Sequence, residues 1–213
     1  MTNNPWRAIT ACTPDYVDEA TRLAASCVLH NVTLTIYPYK DLGDWCLNCE
    51  HTVKVMYDAL WEHLGHNIVW LDADCVVASY PLAFDNFVLD IGVYKRTNTE
   101  RYAQRHNDDS GFHYESGMIF FANNDKVRKF LCDQHKALVE YGNALKSNAI
   151  TPMRLPDYPS LNHLLRDCDL DIGLLPVAYH YPMNNPQPEE VCDNPVIIQD
   201  MVGSTKRKKR RER

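Results

Sequence analysis

Two carboxylates one residue apart, Asp72 and Asp74, carry the sharpest chemical signal in the chain. They stand in Asn67-Ile68-Val69-Trp70-Leu71-Asp72-Ala73-Asp74-Cys75-Val76-Val77, with apolar residues on both sides. Acids at i and i+2 converge on one cation if the chain turns between them, and Ala73 is small enough to permit the turn. Their oxygens are hard ligands suited to Mn²⁺ or Mg²⁺, which one or two carboxylates hold together with substrate phosphates. The run before them reads as a strand buried on both faces. The carboxyl end of such a strand is where open α/β sheets bind ligands.

That strand needs a sheet around it, and the flanking residues supply one. Residues 7–13 read as a first strand, with Thr13 as N-cap and Pro14 in the first turn of a helix. Val17, Ala20, Ala24, Cys27 and Val28 then mark one helical face as far as Leu29. Residues 32–39 alternate as a second strand. Gly43, Asp44, Trp45, Cys46 and Cys49 read as a loop. Val53, Met56, Leu60 and Leu64 define a second helix closed by Gly65. Strand–helix–strand–helix ahead of the acid pair argues for an α/β fold, with a mostly parallel central sheet flanked by helices in a single domain. Later come a strand over 90–95, a polar surface excursion over 98–114, and a strand over 118–122. A helix over 125–141 follows, with Val127, Phe130, Leu131, Leu138 and Tyr141 inward. Residues 143–158 read as loop, 160–167 as a short helix, and 172–175 and 196–198 as late strands.

A chain of 213 residues, 45% apolar and 23% charged, suits one globular domain. We place it at residues 1–203, followed by a disordered basic tail at 204–213. Met1, Thr2, Asn3, Asn4 and Pro5 form no secretory signal. No apolar run approaches the roughly 18 residues of a membrane span, and a cytoplasmic protein is expected. Its eight cysteines are then expected to be reduced. Cys12, Cys27, Cys75 and Cys132 fall in apolar segments as buried small hydrophobes. Cys46 and Cys49 lack the second pair that a structural zinc site would need. Charge is unevenly placed. The last eight residues, beginning with Lys206 and ending with Arg213, hold seven basic residues and one acid, which leaves 15 basic and 27 acidic residues in the body.

Four stretches, taken together, resemble the GT-A-fold glycosyltransferases, nucleotide-diphospho-sugar transferases with a DxD motif. They are Thr10-Ala11-Cys12-Thr13 with Tyr16; Lys54 in the helix before Val69-Trp70-Leu71-Asp72-Ala73-Asp74; Glu115-Ser116-Gly117-Met118-Ile119-Phe120-Phe121; and Asp157-Tyr158-Pro159-Ser160-Leu161-Asn162. The resemblance implies a nucleotide-sugar donor, most readily a UDP-sugar. Asp72 would then face the donor ribose and the metal, and Asp74 would ligate Mn²⁺ or Mg²⁺ bridging the diphosphate. Thr10, Ala11, Thr13 and Tyr16 would line the nucleotide pocket, with Tyr16 stacking on the base. Lys54 would contact nucleotide or phosphate; a solvated helix lysine is the equal alternative. Glu115, Ser116 and Gly117 would approach the donor sugar, the glycine permitting close backbone contact. Asp157 or Glu115 would be the proton acceptor of an inverting enzyme.

Two departures from the family pattern stand out. Tyr158 occupies the position after the acid where retaining relatives carry glutamine, and the late strand has no histidine for a third metal ligand. His180 is the nearest histidine, with Gln199 and Asp200 as alternatives. The basic tail would suit a polyanion, and a hydroxylated base in DNA is one acceptor it would favour. The same acid pair is open to two other readings: a metal-dependent phosphohydrolase or nuclease, and a nucleotide-binding module without turnover.

Overall fold

The structure, a computed structural model, describes residues 4–43, 45–97, 112–147, 165, 168–183 and 192–200. Strand β1 (Trp6–Cys12) leads through a 3-10 turn (Pro14–Tyr16) into α1 (Val17–Leu29), then β2 (Leu34–Pro38), α2 (Trp45–Glu62) and β3 (Asn67–Leu71). Next come β4 (Cys75–Val77), β5 (Ile91–Thr97), β6 (Phe112–Phe121), α3 (Asp125–Lys146), β7 (Ile172–Leu174), β8 (Tyr181–Pro182) and β9 (Ile197–Gln199). The main sheet has the order β2-β1-β3-β6-β5-β7, and β6 alone runs against the rest. The expected mostly parallel, helix-flanked sheet is thus what forms.

The connection from β1 steps out to β2, and the next one returns across β1 to β3. Right-handed crossovers therefore put α1 and α2 on opposite faces of the sheet, and side-chain alternation along the strands follows suit. Ile9, Ile68, Trp70, Ile119 and Phe121 pack with α2 and α3 through Met56, Leu60, Val127 and Leu131. Ala8, Val69, Leu71, Met118 and Phe120 face the other way, onto Leu23 and Cys27 of α1. All five residues of β3 are buried. Helix α1 ends where Asn31 takes a positive φ of 56° and Val32 N–H returns to the Cys27 carbonyl. Gly65, with φ of 82°, turns the chain between α2 and β3.

The structure departs from expectation at several boundaries. Trp45 and Cys46-Leu47-Asn48-Cys49 form the first turn of α2, where a loop was expected. Phe112 to Tyr114, expected in the polar excursion, are strand because Thr97, Arg96 and Lys95 pair with them. Helix α3 runs on to Lys146. Val76 and its neighbours do not prolong β3: β4 leaves the main sheet and forms a small second sheet, β4-β9-β8. Cys12, Cys27 and Cys75 are buried as expected, Cys132 only partly. Residues 148–164, most of the excursion and the basic tail lie outside the described residues. Among the described residues, no helix is long and apolar enough to cross a membrane.

Candidate active site

The two acids sit on a tight turn at the carboxyl end of β3. Cys75 N–H donates to the Asp72 carbonyl at 2.9 Å, closing a β-turn with Ala73 and Asp74 at its centre. Asp72 N–H itself donates to the Gly117 carbonyl at 2.8 Å, which ties the turn to β6. The small residue between the acids thus does what its size allowed.

Two N–H donors, one two residues away and one far along the chain, meet the Asp72 carboxylate. Trp70 Nε1 donates to Oδ1 at 2.9 Å, and Gln199 Nε2 donates to Oδ2 at 2.9 Å. Gln199 Nε2 also lies 3.4 Å from Asp74 Oδ1. Register brings Gln199 there, because β9 pairs antiparallel with β4 and sets Gln199 opposite Cys75. Asp200 N–H then donates to the Asp74 carbonyl at 3.1 Å, while the Asp200 side chain pairs with Arg22. Burial raises the Asp72 carboxyl to about 7, helped by the charges of Asp74 and Glu115 and opposed by the bonds from Trp70 and Gln199. Such a pair would be relieved by a cation.

Gly117 owes its identity to this arrangement. A Cβ there would stand 2.3 Å from Gln199 Oε1, so a side chain would push the carboxamide off the acids. The groups that approach this glycine closely are the Gln199 carboxamide and the backbone of Asp72. The β5–β6 register slips between Val93 and Lys95, opposite the stretch that holds Glu115, Ser116 and Gly117. Irregular pairing of this kind re-aims side chains beside a site.

Glu115 points into a buried cluster of basic groups. Arg96 Nη1 lies 3.2 Å and His113 Nε2 3.0 Å from its Oε1, and His180 Nε2 lies 3.9 Å from Oε2. Burial pushes the Glu115 carboxyl up, but the His113 hydrogen bond and the charges of His180, His113 and Arg96 outweigh it and hold the group at about 2. A carboxylate held that low is a fixed anion and a poor proton acceptor at neutral pH. His180 does not join the acid pair as a third metal ligand. It is buried, stacks on Tyr94 at 5.7 Å, and faces Glu115. Among the described residues, no three His, Cys, Asp or Glu side chains are grouped to hold a metal ion. The side chain that reaches both acids is the Gln199 carboxamide.

The remaining candidates divide by position. Tyr16 packs, part-buried, on the small cluster formed by Cys12, Ala20 and Ala73. Thr13 was expected as an N-cap, yet it makes no side-chain capping bond, and its buried hydroxyl has no hydrogen-bond partner among the described residues. Thr10 is fully buried and Ala11 packs in the α2 face of the core. Ser116 borders a small cavity together with Asp72. Lys54 lies on the exposed side of α2, paired with Asp58 one turn on. Asp157 lies outside the described residues. Tyr39 is an addition that sequence reading missed: its N–H donates to the Cys12 carbonyl at 3.0 Å, and its ring lies 4.4 Å from that of His51.

Replacing Gly117 by Ala should displace Gln199 and cost about 1 kcal/mol. Adding Gln199→Ala to that variant should cost little more, because both changes remove one contact. Thermal unfolding of the singles and the double checks this, and additive losses would show that Gly117 serves something else. Glu115→Gln removes the buried charge that meets Arg96 and should lower stability at pH 7 by on the order of 3 kcal/mol. Because the native carboxyl is depressed to about 2 from 4.5, the stability it contributes is complete above pH 4.5 and lost as pH falls toward 2. The gap in Tm between wild type and Glu115→Gln should narrow across that window.

No family model and no curated protein matches the sequence. Solved structures do. A glycosyltransferase involved in the glycosylation of the major capsid of PBCV-1 aligns over 98% of this chain and 98% of its own, with a TM-score of 0.57 and 11% identity. The apo form of glycosyltransferase GlyE of Streptococcus pneumoniae TIGR4 aligns over 94% of this chain at TM-score 0.57 and 14% identity, but over only 55% of its own length. The galactosyltransferase LgtC, in complex with donor and acceptor sugar analogues, aligns over 91% of this chain and 86% of its own at TM-score 0.55 and 10% identity. The chain has the fold of the GT-A-type glycosyltransferases.

Proposed function

We propose that this protein is a metal-dependent glycosyltransferase, moving a sugar from a nucleotide-diphosphate donor to an acceptor hydroxyl. One observation carries the proposal: in a glycosyltransferase fold, two acids share a turn at the carboxyl end of β3, and a carboxamide from β9 reaches both. The donor atoms suit a hard cation. Asp72 and Asp74 offer carboxylate oxygens, and the Gln199 carboxamide could present its own oxygen by rotating. Mn²⁺ or Mg²⁺ held there would neutralise charge on the departing nucleoside diphosphate.

The chain's own residues supply the rest. Tyr16 offers a ring face beside Ala73 for the base of a UDP-sugar. Of the two threonines, Thr13 stands at the open end of β1 with a hydroxyl able to bond a nucleotide. Glu115, already ionised, contributes a fixed negative field near the sugar. If the reaction inverts, the proton acceptor would be Asp157. The nuclease alternative needs further carboxylates or histidines beside the pair; among the described residues none groups with it to hold a metal ion, and the neighbouring Glu115 carboxylate is already engaged by Arg96 and His113. For the acceptor, the +6 balance of residues 206–213 favours a polyanion, in the specific version a hydroxylated base in DNA.

Incubation with Mn²⁺ and a panel of nucleotide sugars should release nucleoside diphosphate slowly without acceptor and faster with one. Asp74→Asn should abolish this release while leaving the circular dichroism spectrum unchanged; full turnover in that variant would remove the pair from the mechanism. Phosphodiester cleavage without donor turnover would point to the nuclease, and donor binding without turnover to the module. Deleting residues 206–213 should weaken binding to hydroxymethylated DNA and flatten its salt dependence. Equal affinity and salt slope in the truncated protein would exclude the tail as an arm for DNA.

A further inference from the structure

One polar side chain interrupts the apolar stripe of α3. Val127, Phe130, Leu131 and Leu138 are buried at helical spacing, and Gln134 falls on the same face with 2% exposure. Its Oε1 is buried and has no hydrogen-bond partner among the described residues. An unmet buried acceptor is costly, and native proteins keep few of them without a reason. Gln134 borders a cavity of about 40 Å³ whose walls include Thr52, Trp70, Phe121, Asp72 and Ser116. That volume admits one small polar substituent. It joins Gln134 to Asp72 and Ser116 of the candidate site.

The hydrogen-bonding roles around the cavity are partly spoken for. Trp70 Nε1 is committed to Asp72 Oδ1, and the Thr52 hydroxyl donates to the Cys49 carbonyl at 2.8 Å. What remains on the wall includes three acceptors, Gln134 Oε1, the Thr52 oxygen and the Asp72 carboxylate, beside the Ser116 hydroxyl and the Gln134 amide N–H groups, which can donate. A group that both donates and accepts, as a hydroxyl does, suits this lining. A carboxylate or phosphate would be repelled by Asp72 and leave Gln134 unmet, whereas an alcohol hydroxyl donates to Gln134 and lays its carbon against Trp70 and Phe121.

We propose that this cavity receives a hydroxyl of the sugar being transferred and that Gln134, by accepting its hydrogen bond, is a specificity-determining residue for the donor. This rests on the glycosyl-transfer reading, and the experiment separates the two. Wild type, Gln134→Met and Gln134→Glu are prepared as full chains. UDP release with Mn²⁺ is measured for UDP-glucose or UDP-galactose, whichever is used, for each singly deoxygenated analogue, and for UDP-glucuronate; UDP binding is measured alone.

Wild type should discriminate against UDP-glucuronate and against one deoxy analogue by about 10-fold or more in kcat/KM. Gln134→Met should lose about 10-fold with the parent donor, show no further loss with that analogue, and bind UDP as wild type does. Gln134→Glu keeps an acceptor oxygen and should keep the ratio between parent and analogue; it decides the matter if the methionine variant does not fold. If UDP-sugars turn over and the folded variants discriminate as wild type does, the Gln134 assignment falls and the transferase stands. If wild type binds no nucleoside diphosphate and turns over no donor of the nucleotide-sugar panel, the transferase reading falls and this one with it; if it turns over only donors of another nucleotide, the same deoxy and uronate comparison is made with that nucleotide.

Discussion

A buried pair of like charges must be met by dipoles wherever it is not met by a ligand, and much of this chain is arranged to do that at Asp72. One dipole is local: Trp70 stands two residues earlier on β3 and donates its indole N–H from the core side. The other is remote, since Gln199 arrives from 127 residues away. Its delivery depends on a short strand, β9, whose register is set by Ile197 opposite Val77 and Gln199 opposite Cys75. It depends as well on a glycine at 117, which leaves room for the carboxamide. Asp200 completes the fastening through its N–H to the Asp74 carbonyl. The last described strand thus closes a site opened by the third.

The sheet order explains why the site lies where it does. With β1 between β2 and β3, α1 and α2 cover opposite faces, and a crevice opens between the carboxyl ends of β1 and β3. Thr13 and Tyr16 leave β1 on one side of it, and Asp72 and Asp74 leave β3 on the other. Strand β6, the one antiparallel member, crosses beside β3 and brings Ser116 and Gly117 to the same end. No single element carries the site; the reversal of strand order assembles it.

Local signals made part of this legible in the sequence. The acid pair, its apolar flanks and the turn through Ala73 depend on neighbours a few residues apart, and the structure places them as the sequence reads. The end of α1 at Leu29 and the turn at Gly65 belong to the same class. Features set by distant partners were harder to read. Phe112 to Tyr114 look polar and loop-like until Lys95 to Thr97 pair with them. Gln199 stands in the sequence only as an alternative to His180, and it is the register of β9 against β4 that brings it to the acids. His180 carries the side chain a metal site prefers, yet its surroundings are Glu115 and Tyr94. Lys54 was open to a bland reading from the start, because Asp58 stands four residues on along the same helix face.

Asp72 and Glu115, both partly buried, show how environment divides roles among carboxyl groups. Arg96 and His113 reach Glu115 directly, with His180 near, and together they hold it at about 2. Asp72 is met by an indole and a carboxamide, with Asp74 and Glu115 adding like charge, and it rises to about 7. Glu115 already has its counter-charges, so a further cation would stabilise it little. Asp72 has only dipoles and repulsion on the sides described, so a cation binding there removes a standing electrostatic cost. Glu115, by staying ionised close to Asp72, adds to the negative potential at the acid pair. The basic cluster around Glu115 therefore acts on the acid turn indirectly, since it keeps that neighbouring carboxylate ionised far below neutral pH.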